Sequence, residues 1–276
     1  DTSKFSFGAG FSSIDQLVAY TEVTMGNFDI FHPPTFSGGG QKFRAALQLG
    51  TQRQDYVLSF VEPWFLGRKL SLGVDLYRRE LDYQSLESLY DEERTGMRVS
   101  LTRALGSDFL IGSVSAGIEQ VGIVDVSTNA PAFISAEEGN ALLGKLGASL
   151  AYDTRNNTTL PNHGQRTELF GEFVGIDKEF YKLELKSAWY FKGFMAGDVL
   201  EVAGRIGVAD SLKSNEDVPF YDRYYLGGLY SLRGFRYREI GPSEPLLNGA
   251  SGNEPAGGDT YWFATLEYST PIIERL

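Results

Sequence analysis

Residues 181–189 read Tyr181-Lys182-Leu183-Glu184-Leu185-Lys186-Ser187-Ala188-Trp189. Tyr181, Leu183, Leu185, Ser187 and Trp189 fall on one side of a period of two, and Lys182, Glu184, Lys186 and Ala188 fall on the other. That period is a β-strand's; a helix would repeat its apolar residues every three or four positions. The next segment repeats it, with Leu200, Val202, Gly204, Ile206 and Val208 against Glu201, Ala203, Arg205 and Gly207. Further out the same alternation runs through Phe5, Phe7, Ala9 and Phe11, through Leu17, Ala19, Thr21, Val23 and Met25, through Phe43, Ala45, Leu47 and Leu49, and through Leu70, Leu72, Val74 and Leu76. The pattern predicts about twelve strands, at 3–13, 16–27, 41–53, 55–62, 69–81, 93–104, 108–127, 144–156, 165–175, 179–192, 198–210 and 258–270.

The polar side decides what kind of sheet this is. Lys182, Glu184, Lys186, Glu201, Arg205, Glu168 and Glu172 would all lie inside a closed sheet. A soluble sandwich or barrel keeps its inside apolar, and these charges are too many for a dry core. One face must therefore meet lipid and the other water. A soluble antiparallel sheet with one solvated face is the alternative, but no helical segment is present to cover its apolar side.

Composition agrees. The chain has 276 residues, room for one large domain or two ordinary ones. Its mean hydropathy of −0.20 looks soluble, and no stretch reaches the roughly 20 apolar residues of a spanning helix. A transmembrane barrel hides its membrane signal in alternation, so its mean hydropathy stays low. With 36 acidic against 25 basic residues and a net charge of −11, the surface repels phosphate backbones, so nucleic acid is not an expected partner. Cysteine is absent, which excludes disulfides, thiolate metal sites and a Cys nucleophile. His32 and His163 are the only histidines and stand far apart, so no metal or other cofactor is expected. No paired carboxylates, Ser-His-Asp set or phosphate loop appears, and an enzyme is not expected. An outer-membrane barrel protease or lipase is the alternative of a different class, and a passive pore is another. The first residues, Asp1-Thr2-Ser3-Lys4, do not read as a signal peptide.

Connections are short at 105–107 and 192–193 and longer at 28–40, 82–92, 128–143 and 211–257, which predicts a short-turn end and a long-loop end. Aromatics such as Trp64, Phe65, Trp189, Tyr190, Tyr261 and Trp262 gather near strand ends, as an interfacial girdle would. The 211–257 connection has two halves. Its end is Gly-, Asn- and Pro-rich, whereas Val218-Pro219-Phe220-Tyr221-Asp222-Arg223-Tyr224-Tyr225-Leu226-Gly227-Gly228 is too aromatic for a solvated loop. That half is expected to pack against the polar lumen.

Three segments carry a family resemblance. Pro219 to Gly228, followed by Ser231-Leu232-Arg233-Gly234-Phe235 and Ile240-Gly241-Pro242, resembles the long extracellular loop of the BamA family, the outer-membrane barrels that assemble other barrels. Glu62-Pro63-Trp64-Phe65-Leu66-Gly67 is similar to that family's turn after the fourth strand. Tyr152-Asp153-Thr154-Arg155-Asn156-Asn157 with Leu160 to Arg166 is similar to its turn between strands eight and nine. The resemblance covers nearly the whole chain, in the family's order. It implies an all-β transmembrane antiparallel barrel as a single domain over 1–276, with about twelve of a probable sixteen strands present and the long loop folded into the lumen. The family's periplasmic POTRA domains and its last four strands are not seen, and the chain stops at Pro271-Ile272-Ile273-Glu274-Arg275-Leu276 without a closing aromatic strand.

By resemblance, the loop motif Leu232, Arg233, Gly234 and Phe235 folds back into the lumen, where Arg233 pairs with the wall carboxylate Glu267. Parity agrees, because Trp262, Ala264, Leu266 and Tyr268 facing lipid turn Glu267 inward. A second acidic partner would lie on a thirteenth strand. The lateral gate would use the first strand, Phe5, Ser6, Phe7, Gly8, Ala9, Gly10 and Phe11, whose small residues weaken it. The resemblance further implies insertion of β-barrel proteins into the bacterial outer membrane through a lateral seam and strand pairing. Its implied partners are outer-membrane lipid and lipopolysaccharide, unfolded outer-membrane proteins and accessory assembly lipoproteins. A translocation barrel of the TamA or two-partner-secretion kind is the nearest alternative.

Overall fold

The computed structural model describes residues 3–12, 16–84, 88–195, 197–228 and 231–271. Twelve strands form one sheet: β1 (Ser3–Ser12), β2 (Gln16–Phe28), β3 (Gln41–Gly50), β4 (Arg53–Glu62), β5 (Ser71–Gln84), β6 (Ser88–Ala104), β7 (Leu110–Val124), β8 (Gly139–Asp153), β9 (Gly164–Ile176), β10 (Phe180–Lys192), β11 (Val199–Ser211) and β14 (Thr260–Ser269). Each pairs antiparallel with its neighbours in chain order, and β14 follows β11. The two short strands β12 (Ser243–Pro245) and β13 (Asn253–Pro255) make a separate hairpin within the β11–β14 connection. The sheet strands run from 10 to 17 residues, enough to cross a bilayer when tilted.

The faces are inverted relative to a soluble sheet. On β10, Leu183, Leu185 and Trp189 are exposed, while the side chains of Lys182 and Glu184 are mostly covered. On β14, Trp262 and Leu266 are exposed and Tyr261 reaches inward to Glu184. This is a membrane barrel wall, with lipid outside and a polar lumen inside. No helix among the described residues is long and apolar enough to cross a membrane. Curvature follows from the polar face: Arg98 on β6 and Glu172 on β9 approach to 3.7 Å, although three strand spacings in a flat sheet would separate their backbones by roughly 14 Å.

Several expected boundaries shift. The 82–92 connection is not a long loop: β5 and β6 continue, pairing Asp82 with Asp91 and Tyr83 with Tyr90, so that only 85–87 separates the strands. The 128–143 connection carries a short helix, α1 (Ala132–Ser135), and gives its last residues to β8. Loop lengths also fail to alternate by end. The 29–40 connection lies at the same end as the tight turns 105–109 and 193–198, and the end bearing the longest loop also has the two-residue turn 51–52. The Glu62–Gly67 and Tyr152–Arg166 motifs do follow strands four and eight. In the latter, Gly164 sits at φ +99° with a Cβ position 2.3 Å from the Thr154 carbonyl oxygen, so only glycine closes this turn. Residues 272–276, where the chain's final segment was read, lie outside the described residues.

The buried core lies inside the wall at the end that carries the long loop. There Leu89, Tyr90, Val121, Ile123, Leu143, Val174 and Phe180 of the wall meet Val218, Phe220, Tyr221 and Leu246 of the β11–β14 connection.

Candidate functional site

The β11–β14 connection, 212–259, is the element that fills the lumen. Its aromatic half packs as expected. After Pro219, Phe220–Asp222 form one 3-10 turn with all three side chains buried. Phe220 stands edge-on to Tyr90 of β6 and to Phe133 of α1, at ring-centroid distances of 5.1 and 5.7 Å, the geometry aromatic quadrupoles favour.

This packing carries Asp222 into the lumen among wall cations. Its Oδ1 lies 3.8 Å from both Arg94 of β6 and Lys182 of β10. The same cations hold the turn's carbonyls: Arg94 Nη2 donates to the Tyr221 oxygen at 2.6 Å, and Lys182 Nζ donates to the Asp222 oxygen at 2.8 Å. Arg94 also pairs with Glu92 and Glu119, and Lys145 Nζ donates to Glu119 at 2.5 Å. Three carboxylates thus face three cations, as burial of charge requires. Burial alone would raise the Asp222 carboxyl pKa, but Arg94, Lys145 and Lys182 outweigh it and hold the group below the usual carboxylate range. Arg94 and Lys182 additionally lie over the Tyr221 and Tyr224 rings.

The remainder of the connection spreads over this anchor. Ser231 Oγ accepts from the Gly227 amide at 2.8 Å and donates to the Gly227 oxygen at 2.9 Å. Gly227 has φ +110°, and a Cβ there would lie 2.2 Å from the Arg236 oxygen. Arg238 lies 4.0 Å over the Tyr225 ring. Near the β12–β13 hairpin, Leu247 N donates to Asn129 O at 2.9 Å and Asn248 Nδ2 to Thr128 O at 2.7 Å, tying the loop to the 125–138 connection.

The motif residues lie where the loop reaches farthest along the wall: Glu267 is paired with Glu201 close to the end of β11 and β14 opposite the loop's attachment. Arg233 Nη2 donates to Glu267 Oε2 on β14, and the two side chains are 62% and 40% exposed. Leu232 is half-buried, Gly234 has φ +93°, and Phe235 is 49% exposed. The buried aromatic anchors are therefore Phe220 and Tyr221 rather than Phe235. Glu267 does face inward: it pairs in register with Glu201, whose Oε1 accepts from Tyr190 of β10 at 3.4 Å.

The first-strand candidates stand elsewhere, at the far end of the strand order from β14. Phe5 and Phe7 are exposed on the lipid face with rings 6.0 Å apart, and Ser6, Gly8 and Gly10 alternate with them. The Tyr20 ring of β2 lies over Gly8, where a Cβ would come within 2.6 Å of it. Phe11 lies on β1, and its side chain is outside the described set. Among the described residues, no group of three or more His, Cys, Asp or Glu is placed to hold a metal ion.

Asp222 and its receptor were not singled out by the sequence reading. The available signal was an acidic residue within a run of aromatics, Phe220, Tyr221, Tyr224 and Tyr225, opposite inward-parity cations on strands already recognised.

Comparison with known proteins fits this geometry. Among curated proteins, the chain is 26% identical over 238 residues to the outer membrane protein assembly factor BamA of Nitratidesulfovibrio vulgaris, covering 83% of this chain and 28% of that protein. It is 26% identical over 257 residues to the human sorting and assembly machinery component 50 homolog, covering 88% of this chain and 50% of that protein. The chain therefore spans half or less of the length of these relatives. Among solved structures, BamA from Haemophilus ducreyi lacking POTRA domains 1–3 superposes with a TM-score of 0.78 at 21% identity, over 99% of this chain and 54% of that one. CdiB from Acinetobacter baumannii superposes at 0.52 with 15% identity, over 99% and 47%. The Omp85 superfamily domain matches residues 36–275, and the chain belongs to the Omp85 superfamily.

Proposed function

We propose that this chain is the barrel part of a BamA-like assembly factor that inserts β-barrel proteins into the bacterial outer membrane. The reading rests chiefly on the lumen loop, whose Arg233 meets Glu267 on the wall in a fold shared with BamA. The loop acts as an internal brace: Leu232–Phe235 and Glu267 hold its far-reaching part against β14, keeping the wall in shape while a seam opens elsewhere. The seam uses β1. An incoming strand pairs with the backbone of residues 5–11, since strand addition at an open edge supplies main-chain hydrogen bonds. Gly8 and Gly10 loosen that edge. The substrates are unfolded outer-membrane proteins, the surroundings are lipid and lipopolysaccharide, and accessory lipoproteins assist; no catalytic group is needed.

The test is reconstitution of the full-length protein in liposomes with a urea-unfolded barrel substrate. Faster substrate folding than in empty liposomes is expected, with the gain lost when a disulfide joins the first and last strands. Unchanged folding kinetics in the presence of the protein would refute the reading, and full activity of the locked form would refute the seam.

A further inference from the structure

Glu201 and Glu267 stand directly opposite each other on β11 and β14. Both face the lumen, on the same side as the inward Tyr261 and opposite the exposed Trp262 and Leu266. Like charges directly opposite on an antiparallel pair are destabilising unless something neutralises them. Tyr190 gives Glu201 one neutral hydrogen bond, and Arg155, which also approaches the Tyr190 hydroxyl, is held in an ion pair by Asp153. The loop brings Arg233 to this pair, bonded to Glu267. A guanidinium offers five donors in a planar fork, more than one carboxylate uses, and Glu201 lies one strand away from the carboxylate it already holds.

We infer that Glu201 is a positioning residue for Arg233: Glu201 and Glu267 form a two-carboxylate receptor on adjacent strands, and the loop arginine neutralises both. The repulsion between the two glutamates makes the empty receptor unfavourable, so the wall itself draws the loop in. This extends the reading of Arg233 as a loop brace and is independent of assembly activity.

A double-variant series on the full-length protein in detergent tests it, read as the temperature at which the heat-resistant band is lost in gel electrophoresis. R233A is expected to lower that midpoint. E201Q alone lowers it less. Combined with R233A, E201Q raises the midpoint above that of R233A, because it removes the repulsion the missing arginine exposed. E201D, which keeps the charge, gives no such rescue. Should R233A fail to fold, R233Q, which also removes the charge, replaces it in the same series. Y190F separates the hydrogen bond from the charge, since it leaves the rescue intact. Simple additivity of E201Q and R233A would overturn the inference whether or not the protein proves to be an insertase.

Discussion

The long loop meets the barrel wall in two places that work by different physics. Around Asp222 the contact is buried: an aromatic turn is packed among wall residues, and its carboxylate lies among Arg94, Lys145 and Lys182. At Arg233 the contact is one ion pair with both partners substantially exposed. A solvated pair contributes about 0–1 kcal/mol. Removing one member of a buried charge set costs about 3–5 kcal/mol, because the partners left behind cannot rehydrate. The difference separates two tasks. Asp222 and its aromatic neighbours fix the loop in the lumen. Arg233 and Glu267 hold the part of the loop that reaches farthest along the wall with a weaker, solvated contact.

Substitution can break this contrast from either side. The largest effect is expected for Asp222→Ala, which strands Lys182 and Arg94 beside carbonyls with less counter-charge. A loss of about 3–5 kcal/mol should appear as early loss of the heat-resistant band and as protease cleavage within 212–259. Gly227→Ala comes next. It forces a side chain into left-handed backbone against the Arg236 oxygen, costing at least about 1–2 kcal/mol and displacing the motif from Glu267 without touching the buried charges; denaturant titration measures it.

Acid sharpens the contrast more gently. The folded-state pKa of Asp222 is lowered, so its ionised form stabilises the docked loop fully above the unfolded value of about 3.9. That contribution fades as pH falls from there through the lowered folded value. Acid titration of the wild-type protein should therefore show a stability loss in that window that Asp222→Asn lacks. The smallest stability change, about 1 kcal/mol or less, is expected for Arg233→Ala. Its loss of substrate folding in liposomes should be disproportionately larger; a proportional loss would erase the distinction between anchor and brace.

The strands were legible wherever one face met lipid, as on β10 and β11, because the bilayer demands apolar residues at every second position. Alternation failed at the top of β5 and β6. There Asp82, Asp91 and Glu92 read as a loop, yet the strands pair past Tyr83 and Tyr90. A strand pair that needs no lipid-facing face loses the constraint that makes it readable. The Arg233–Glu267 pair was found through motif resemblance and parity. Asp222 was missed for a tertiary reason: its receptor is assembled from β6, β8 and β10, and Arg94 lies 127 residues from the Tyr221 carbonyl it binds. Local pattern shows which wall residues face inward, but not which loop residue will meet them.

Hydrogen exchange of the full-length protein in a lipid bilayer tests this division most directly. Amides of 218–226 are expected to be protected and those of 231–239 to exchange faster, with the protection of 218–226 lost in Asp222→Ala and retained in Arg233→Ala. Equal exchange in the two segments, or loss of protection in 218–226 on removing Arg233 alone, would contradict it.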